Sequence, residues 1–190
     1  MTQDGMVIEN PLSGERITIR ATAADTAGDV LEWTLELAPG GAVPSSHAHP
    51  EQEERFAVIA GRMRFRVAGR RVIAGPGDVV RVPPGTVHHF ANAGAVPAIV
   101  AVETRPALSM RDLLETAAAM AQDQHRRARR LPNLFDLALF MRDFEREVRA
   151  PYLPAAIVQA ALAPLAWLAA RTGLDVRYRN LHVPGRVHES

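Results

Sequence analysis

The chain has 190 residues, 47% of them hydrophobic and 23% charged, with a formal net charge of +1. That is the composition of one globular unit, or of a compact domain with an appendage, and it excludes a disordered protein or one that steers polyanions by its overall field. There is no cysteine, and every one of the 22 basic residues is arginine. Disulfides, thiolate nucleophiles, iron–sulfur clusters, zinc–sulfur sites and lysine Schiff bases are thereby excluded, and any metal must sit on nitrogen and oxygen ligands. Aromatic residues make up only 5%, which argues against stacking on single-stranded nucleic acid, and no nucleic-acid partner is expected. The N-terminal MTQDGMVIENPLSGER lacks a basic-then-apolar pattern, so the expected location is cytoplasmic.

Up to residue 106, short apolar runs alternate with Gly, Pro and Asn breaks. Ile17 and Ile19 share one face of an alternating run. Leu31, Trp33, Leu35 and Leu37 recur at every second residue, opposite Glu32, Thr34 and Glu36. Met63, Phe65 and Val67 alternate with Arg62, Arg64 and Arg66. Period two with one apolar face predicts antiparallel strands. Gly61, Gly69 and the Pro-Gly pairs at 76–77 and 84–85 punctuate them, as in a β-sandwich or barrel. Residues 1–106 are therefore expected to form a β-barrel, and 107–190 a helical extension packed on the barrel or on a second subunit.

About three helices are predicted there. The first starts at Ser109, with Asp112 as a capping-box acid, and runs to about residue 130. The second is capped by Asn133 and ends near Val148, with Leu134, Leu137, Phe140, Met141 and Phe144 as its apolar stripe. The third covers about 153–172 and stops at Gly173. In the short tail beyond, Val176 and Tyr178 alternate with arginines. The stretch 150–170 carries no charge, but it holds Pro151, Pro154, Gln159 and Pro164 and leans on alanine. It is read as a packed helix and not a membrane span. The arginines of His125–Arg130 are read as complementing a helix C-terminus. A homodimer is expected, because open sheet edges and an apolar helix both need cover.

The chemistry is concentrated between Gly41 and Asn92. His47 and His49 are two residues apart, so on extended chain their imidazoles leave the same face. Glu54 heads a run in which Phe56, Val58 and Ala60 share its face, and a carboxylate there is costly unless a cation compensates it. His88 follows a Pro-Pro-Gly-Thr turn and shares its face with Phe90 and Asn92, while His89 points the other way. His47, His49, Glu54 and His88 are thus the candidate ligands of one divalent ion. Three neutral imidazoles and one carboxylate leave that ion a net positive charge. An octahedral ion would keep two open positions, as catalytic sites do. Glu51 and Glu53 are read as solvated loop acids. Trp33, Met63, Phe65 and Phe90 suit either a substrate pocket or plain core.

The spacing G-x5-H-x-H-x4-E-x6-G from Gly41 to Gly61, followed by G-x5-P-x-G-x2-H-x3-N from Gly77 to Asn92, resembles the two-part signature of the cupin superfamily. The resemblance covers residues 15–105. It implies a double-stranded β-helix, or jelly roll, with a metal inside the barrel. The helical remainder resembles the extension of some small bacterial single-domain cupins. The resemblance leads us to expect a metal-dependent enzyme acting on a small organic molecule, of non-haem dioxygenase type, with Glu54 leaving the ion to act as base. Isomerase or decarboxylase chemistry is the main variant. A ligand-binding or sensor module is the alternative. Iron, manganese, nickel, cobalt and zinc all suit such a donor set.

Overall fold

A computed structural model of the chain describes residues 5–43, 45–128, 131, 133–151, 155–173 and 175–181. Among them are nine strands and four helices. The strands are β1 (Val7–Asn10), β2 (Glu15–Ala21), β3 (Leu31–Leu37), β4 (Glu53–Ala60), β5 (Met63–Val67), β6 (Arg70–Ala74), β7 (Val79–Val82), β8 (His88–Asn92) and β9 (Ala98–Arg105). A six-stranded sheet has the order β1-β2-β3-β9-β4-β7, a three-stranded sheet has the order β6-β5-β8, and every pairing is antiparallel. The two sheets enclose one core, giving the jelly roll anticipated above.

The period-two pattern explains which faces close that core. Leu31, Trp33, Leu35 and Leu37 of β3 are buried, as are Ala98, Val100 and Val102 of β9 beside them. From the second sheet, Met63 and Phe65 of β5 and Phe90 of β8 point inward. Phe56, Phe65 and Phe90 pack at tilted ring angles with centroids 5.2–6.3 Å apart, and full burial of such a ring contributes about 1.5–3 kcal/mol. Trp33 Nε1 donates to Thr104 Oγ1 at 3.3 Å. Trp33, Met63, Phe65 and Phe90 are therefore core. Gly61 turns β4 into β5 with φ at +78°, and a Cβ there would lie 2.6 Å from the Ala98 Cα. Only glycine fits both the conformation and the space.

Helix α1 (Met110–Arg126) lies against β1, and Met110, Leu113 and Ala118 join the barrel core. Helix α2 (Leu134–Asp143) starts as expected, with Asn133 Oδ1 accepting from the Phe135 N–H, but ends before Phe144. Helix α3 (Ala155–Thr172) stops at Gly173, whose φ is +73°. The sequence places its start near Leu153, which lies outside the described residues, as do Arg129 and Arg130 of the basic run. The described residues of the tail after Gly173, 175–181, are helical as well. Helix α4 (Asp175–Leu181) buries Tyr178 against Leu139, Ala166 and Ala169, and this contact overrides the local alternation. Among the described residues no helix is long and apolar enough to cross a membrane. Along α3, Ile157, Trp167 and Leu168 are exposed.

Candidate metal centre

Extended chain at 47–48 brings the first ligands to the second sheet. His47 and His88 face each other across an isolated antiparallel bridge, exchanging N–H···O bonds of 3.1 and 2.8 Å. Their ring centroids are 4.4 Å apart. His49 lies 5.0 Å from His47 and 5.2 Å from His88 by the same measure. One ligand nitrogen from each of the three imidazoles lies within 4.8 Å of the others. Glu54, at the head of β4, places Oε2 3.0 Å from His88 Nε2 and 3.3 Å from His49 Nε2. His49, Glu54 and His88 are buried, and His47 is half-buried. All four sequence candidates thus converge: the histidines form one cluster, and Glu54 touches two of them.

Hydrogen bonding orients the rings. His47 Nδ1 bonds the Ser45 carbonyl at 3.0 Å, His88 Nδ1 the Thr86 carbonyl at 3.1 Å, and His49 Nδ1 the Glu147 carbonyl at 2.5 Å. A carbonyl only accepts, so each Nδ1 carries a proton, and Nε2 is the free donor atom of each neutral ring. Where the three rings and the carboxylate meet, His88 Nε2 and Glu54 Oε2 are buried without a hydrogen bond. They are close, but an unprotonated Nε2 and a carboxylate oxygen both only accept. Buried polar atoms left unpaired cost about 1–3 kcal/mol each. A shared divalent cation would satisfy these atoms and turn their crowding into coordination. The residues therefore fit a metal ion.

The electrostatics agree. Burial raises the Glu54 carboxyl, but His49 and His88 outweigh it and hold Glu54 well below the usual carboxylate range. Burial lowers His49, but the Glu54 charge beside it prevails and raises it. His47 is pushed down to about 3, first by burial and then by His88 and His49.

The surrounding residues have structural work. Asn92 donates from Nδ2 to the carbonyls of Leu37, Ala38 and Val96, and its Oδ1 accepts from the Gly94 N–H. His89 lies on the outer face of β8, half-buried. Glu51 pairs with Arg146, and Glu53 with Arg81. Glu147 has no counterpart in the sequence reading. It acts at His49 through its backbone carbonyl, and a carbonyl leaves no side-chain signature.

Residues 33–103 match the family model described as Cupin domain, and this stretch of the chain is a cupin domain. No curated protein matches the chain. Among solved structures, the chain is similar to a conserved protein with a double-stranded β-helix domain from Klebsiella pneumoniae, at 22% identity and a TM-score of 0.46, over 53% of this chain and 84% of that one. It is similar to an oxalate decarboxylase from Lactobacillus farciminis, solved as a formate complex, at 22% identity and a TM-score of 0.49, over 55% of this chain and 32% of that one. It is also similar to KdgF from Halomonas sp., at 17% identity and a TM-score of 0.48, over 56% of this chain and 92% of that one.

Proposed function

We propose that the protein is a metal-dependent enzyme that acts on a small organic molecule. His47, His49, His88 and Glu54 would hold one divalent ion: iron, manganese, nickel, cobalt or zinc. The observation that carries this reading is the set of three rings whose Nδ1 atoms are all occupied by carbonyls, around a buried carboxylate oxygen and a buried Nε2 that lack hydrogen bonds. Such an ion supplies Lewis-acid polarisation of substrate oxygens and, if redox-active, a route to dioxygen.

The chain's own residues restrict what enters. Phe56, with its ring centroid 6.4 Å from that of His88, stacks with Phe65 and Phe90 into a packed apolar floor. His47 is more exposed than the other two histidines, so a substrate would approach from its side. A small compound with adjacent oxygens, such as an enediol, a catechol or a β-dicarbonyl, matches this shape and chemistry. Glu54 would take the substrate proton as general base. The apolar floor keeps water from the activated substrate.

The favoured reaction is dioxygenase-type cleavage. The test is elemental analysis of untagged protein, followed by oxygen uptake with a panel of diketones and catechols, alongside His47→Ala and His88→Ala. Stoichiometric metal, oxygen consumption and loss of both in the variants support the reading. Turnover without oxygen use moves it to isomerase or decarboxylase chemistry. Saturable binding with no product moves it to a sensor module. Absence of metal overturns it.

A further inference from the structure

We infer that the strap 144–149, between α2 and α3 of the helical extension, is a working part of the metal centre, so that ion binding in the barrel and docking of the extension are coupled. The inference rests on the metal-binding reading above. His47 and His88 each take their Nδ1 acceptor from two residues away in their own loops. His49 takes its acceptor from Glu147, 98 residues distant. Of the three ring orientations, this one alone depends on the extension.

The strap is tied down on both sides of that carbonyl. Arg149 and Ala48 exchange two backbone hydrogen bonds, of 2.9 and 3.2 Å, in an antiparallel bridge beside His47 and His49. Phe144 is buried in the barrel core with Met110 and Leu113. The Glu147 side chain is itself buried, and its Oε1 accepts from the Ser109 N–H at 3.1 Å, at the entry to α1. Arg146 adds a two-pronged contact to Glu51, with Nη2 to Oε2 at 2.7 Å, but that pair is exposed and contributes little.

An imidazole held by a fixed carbonyl presents Nε2 in one tautomer and one direction. An imidazole without it is free to turn. Anything that holds the strap therefore tightens the ion, and the ion must tighten the strap to the same degree. Glu147 is a positioning residue: it acts through His49 and touches no ligand atom of the proposed ion.

The test uses the full chain freed of metal and titrated with Co²⁺ alone, followed by calorimetry and by the visible absorption of the bound ion. Glu147→Ala removes the Ser109 anchor and should weaken Co²⁺ binding by about 10- to 100-fold with an altered spectrum. Glu147→Gln keeps an oxygen able to accept from Ser109 and should restore wild-type binding. In the wild type, Co²⁺ should slow amide exchange in peptides covering 47–51 and 144–149 by about tenfold or more, with no comparable change in β6. Wild-type affinity in folded Glu147→Ala overturns the inference, and if that variant does not fold, the absence of slowing at the strap does so. A wild type that takes up no Co²⁺ overturns the metal-binding reading itself, and this inference with it.

Discussion

Glu54→Gln separates a carboxylate kept for an ion from one kept for the fold. Its Oε2 lies 3.0 and 3.3 Å from two imidazole nitrogens and is buried. Glutamine has nearly the same shape without the charge. Removing the charge gives up the favourable Glu54–His49 pairing, but His49 can then shed its proton, so the metal-free protein should lose no more than about 2 kcal/mol. The ion should suffer instead. At a metal concentration of 100 times Kd, binding stabilises the wild type by about 2.7 kcal/mol. For a chain of this length each kcal/mol moves Tm by about 2–4 °C, so the shift should be about 5–11 °C. If the substitution weakens Kd by about 100-fold, the same metal concentration contributes only about 0.4 kcal/mol, and the shift falls to about 1 °C. Differential scanning calorimetry with and without metal reads both effects. A drop of more than about 2 kcal/mol in metal-free stability, or a metal-induced shift as large as in the wild type, would refute the reasoning.

The motif glycines should divide by what surrounds them. Gly61→Ala, which meets the backbone of Ala98 and Pro97 at positive φ, should cost more than about 3 kcal/mol in urea unfolding. Gly77→Ala and Gly85→Ala, with positive φ but open space, should cost about 1 kcal/mol each. Because Glu54 raises His49 in the metal-free site and an ion binds the neutral imidazole, metal uptake should release protons in weakly buffered solution. Affinity should then climb with pH and level off once pH passes the raised His49 value, and a flat profile across neutrality would contradict this. Asp123 joins α1 to α4 through Arg177 and also holds Arg127. Burial raises its carboxyl, but the arginines prevail and lower it, so its contribution is present above its ordinary value near 3.8 and is lost as pH falls through the lowered one. Asp123→Asn should destabilise the extension by about 1–3 kcal/mol at neutral pH, measured by chemical unfolding, and abolish that acid dependence.

How much could be read from the residues depends on where the physical constraint lies. β3 was legible because one face of Leu31–Leu37 is buried and the other is not. The convergence of His47, His49, His88 and Glu54 was legible because three histidines and a glutamate are rare company for an apolar strand face. The edge strand β6 was not, since four of its five residues are exposed and carry no alternation. The entry to α1 looked like a side-chain cap at Ser109, yet the Ser109 side chain makes no capping bond, and its N–H is met by Glu147 from far along the chain. Helix α4 was not read from the sequence, where Val176 and Tyr178 alternate with arginines, because its determinant is a niche for Tyr178 built by α2 and α3. What escaped the sequence is in each case a long-range contact, and most of all a backbone one.

The same distinction explains why the site needs its neighbours. A strand can place an imidazole on the inner face of a barrel, but it cannot fix which ring nitrogen carries the proton. That choice falls to an acceptor in the plane of the ring. Two of the three loops provide it locally, at Ser45 and Thr86. The chain around His49 turns at Pro50, and the acceptor at this ring comes from the strap. An extension that only shielded the barrel would need apolar contacts such as those of Met110, Leu113 and Phe144. It would not need to place one carbonyl 2.5 Å from a ring nitrogen in the cluster. The location of that bond, more than the bulk of the helices, ties the extension to the chemistry of the barrel.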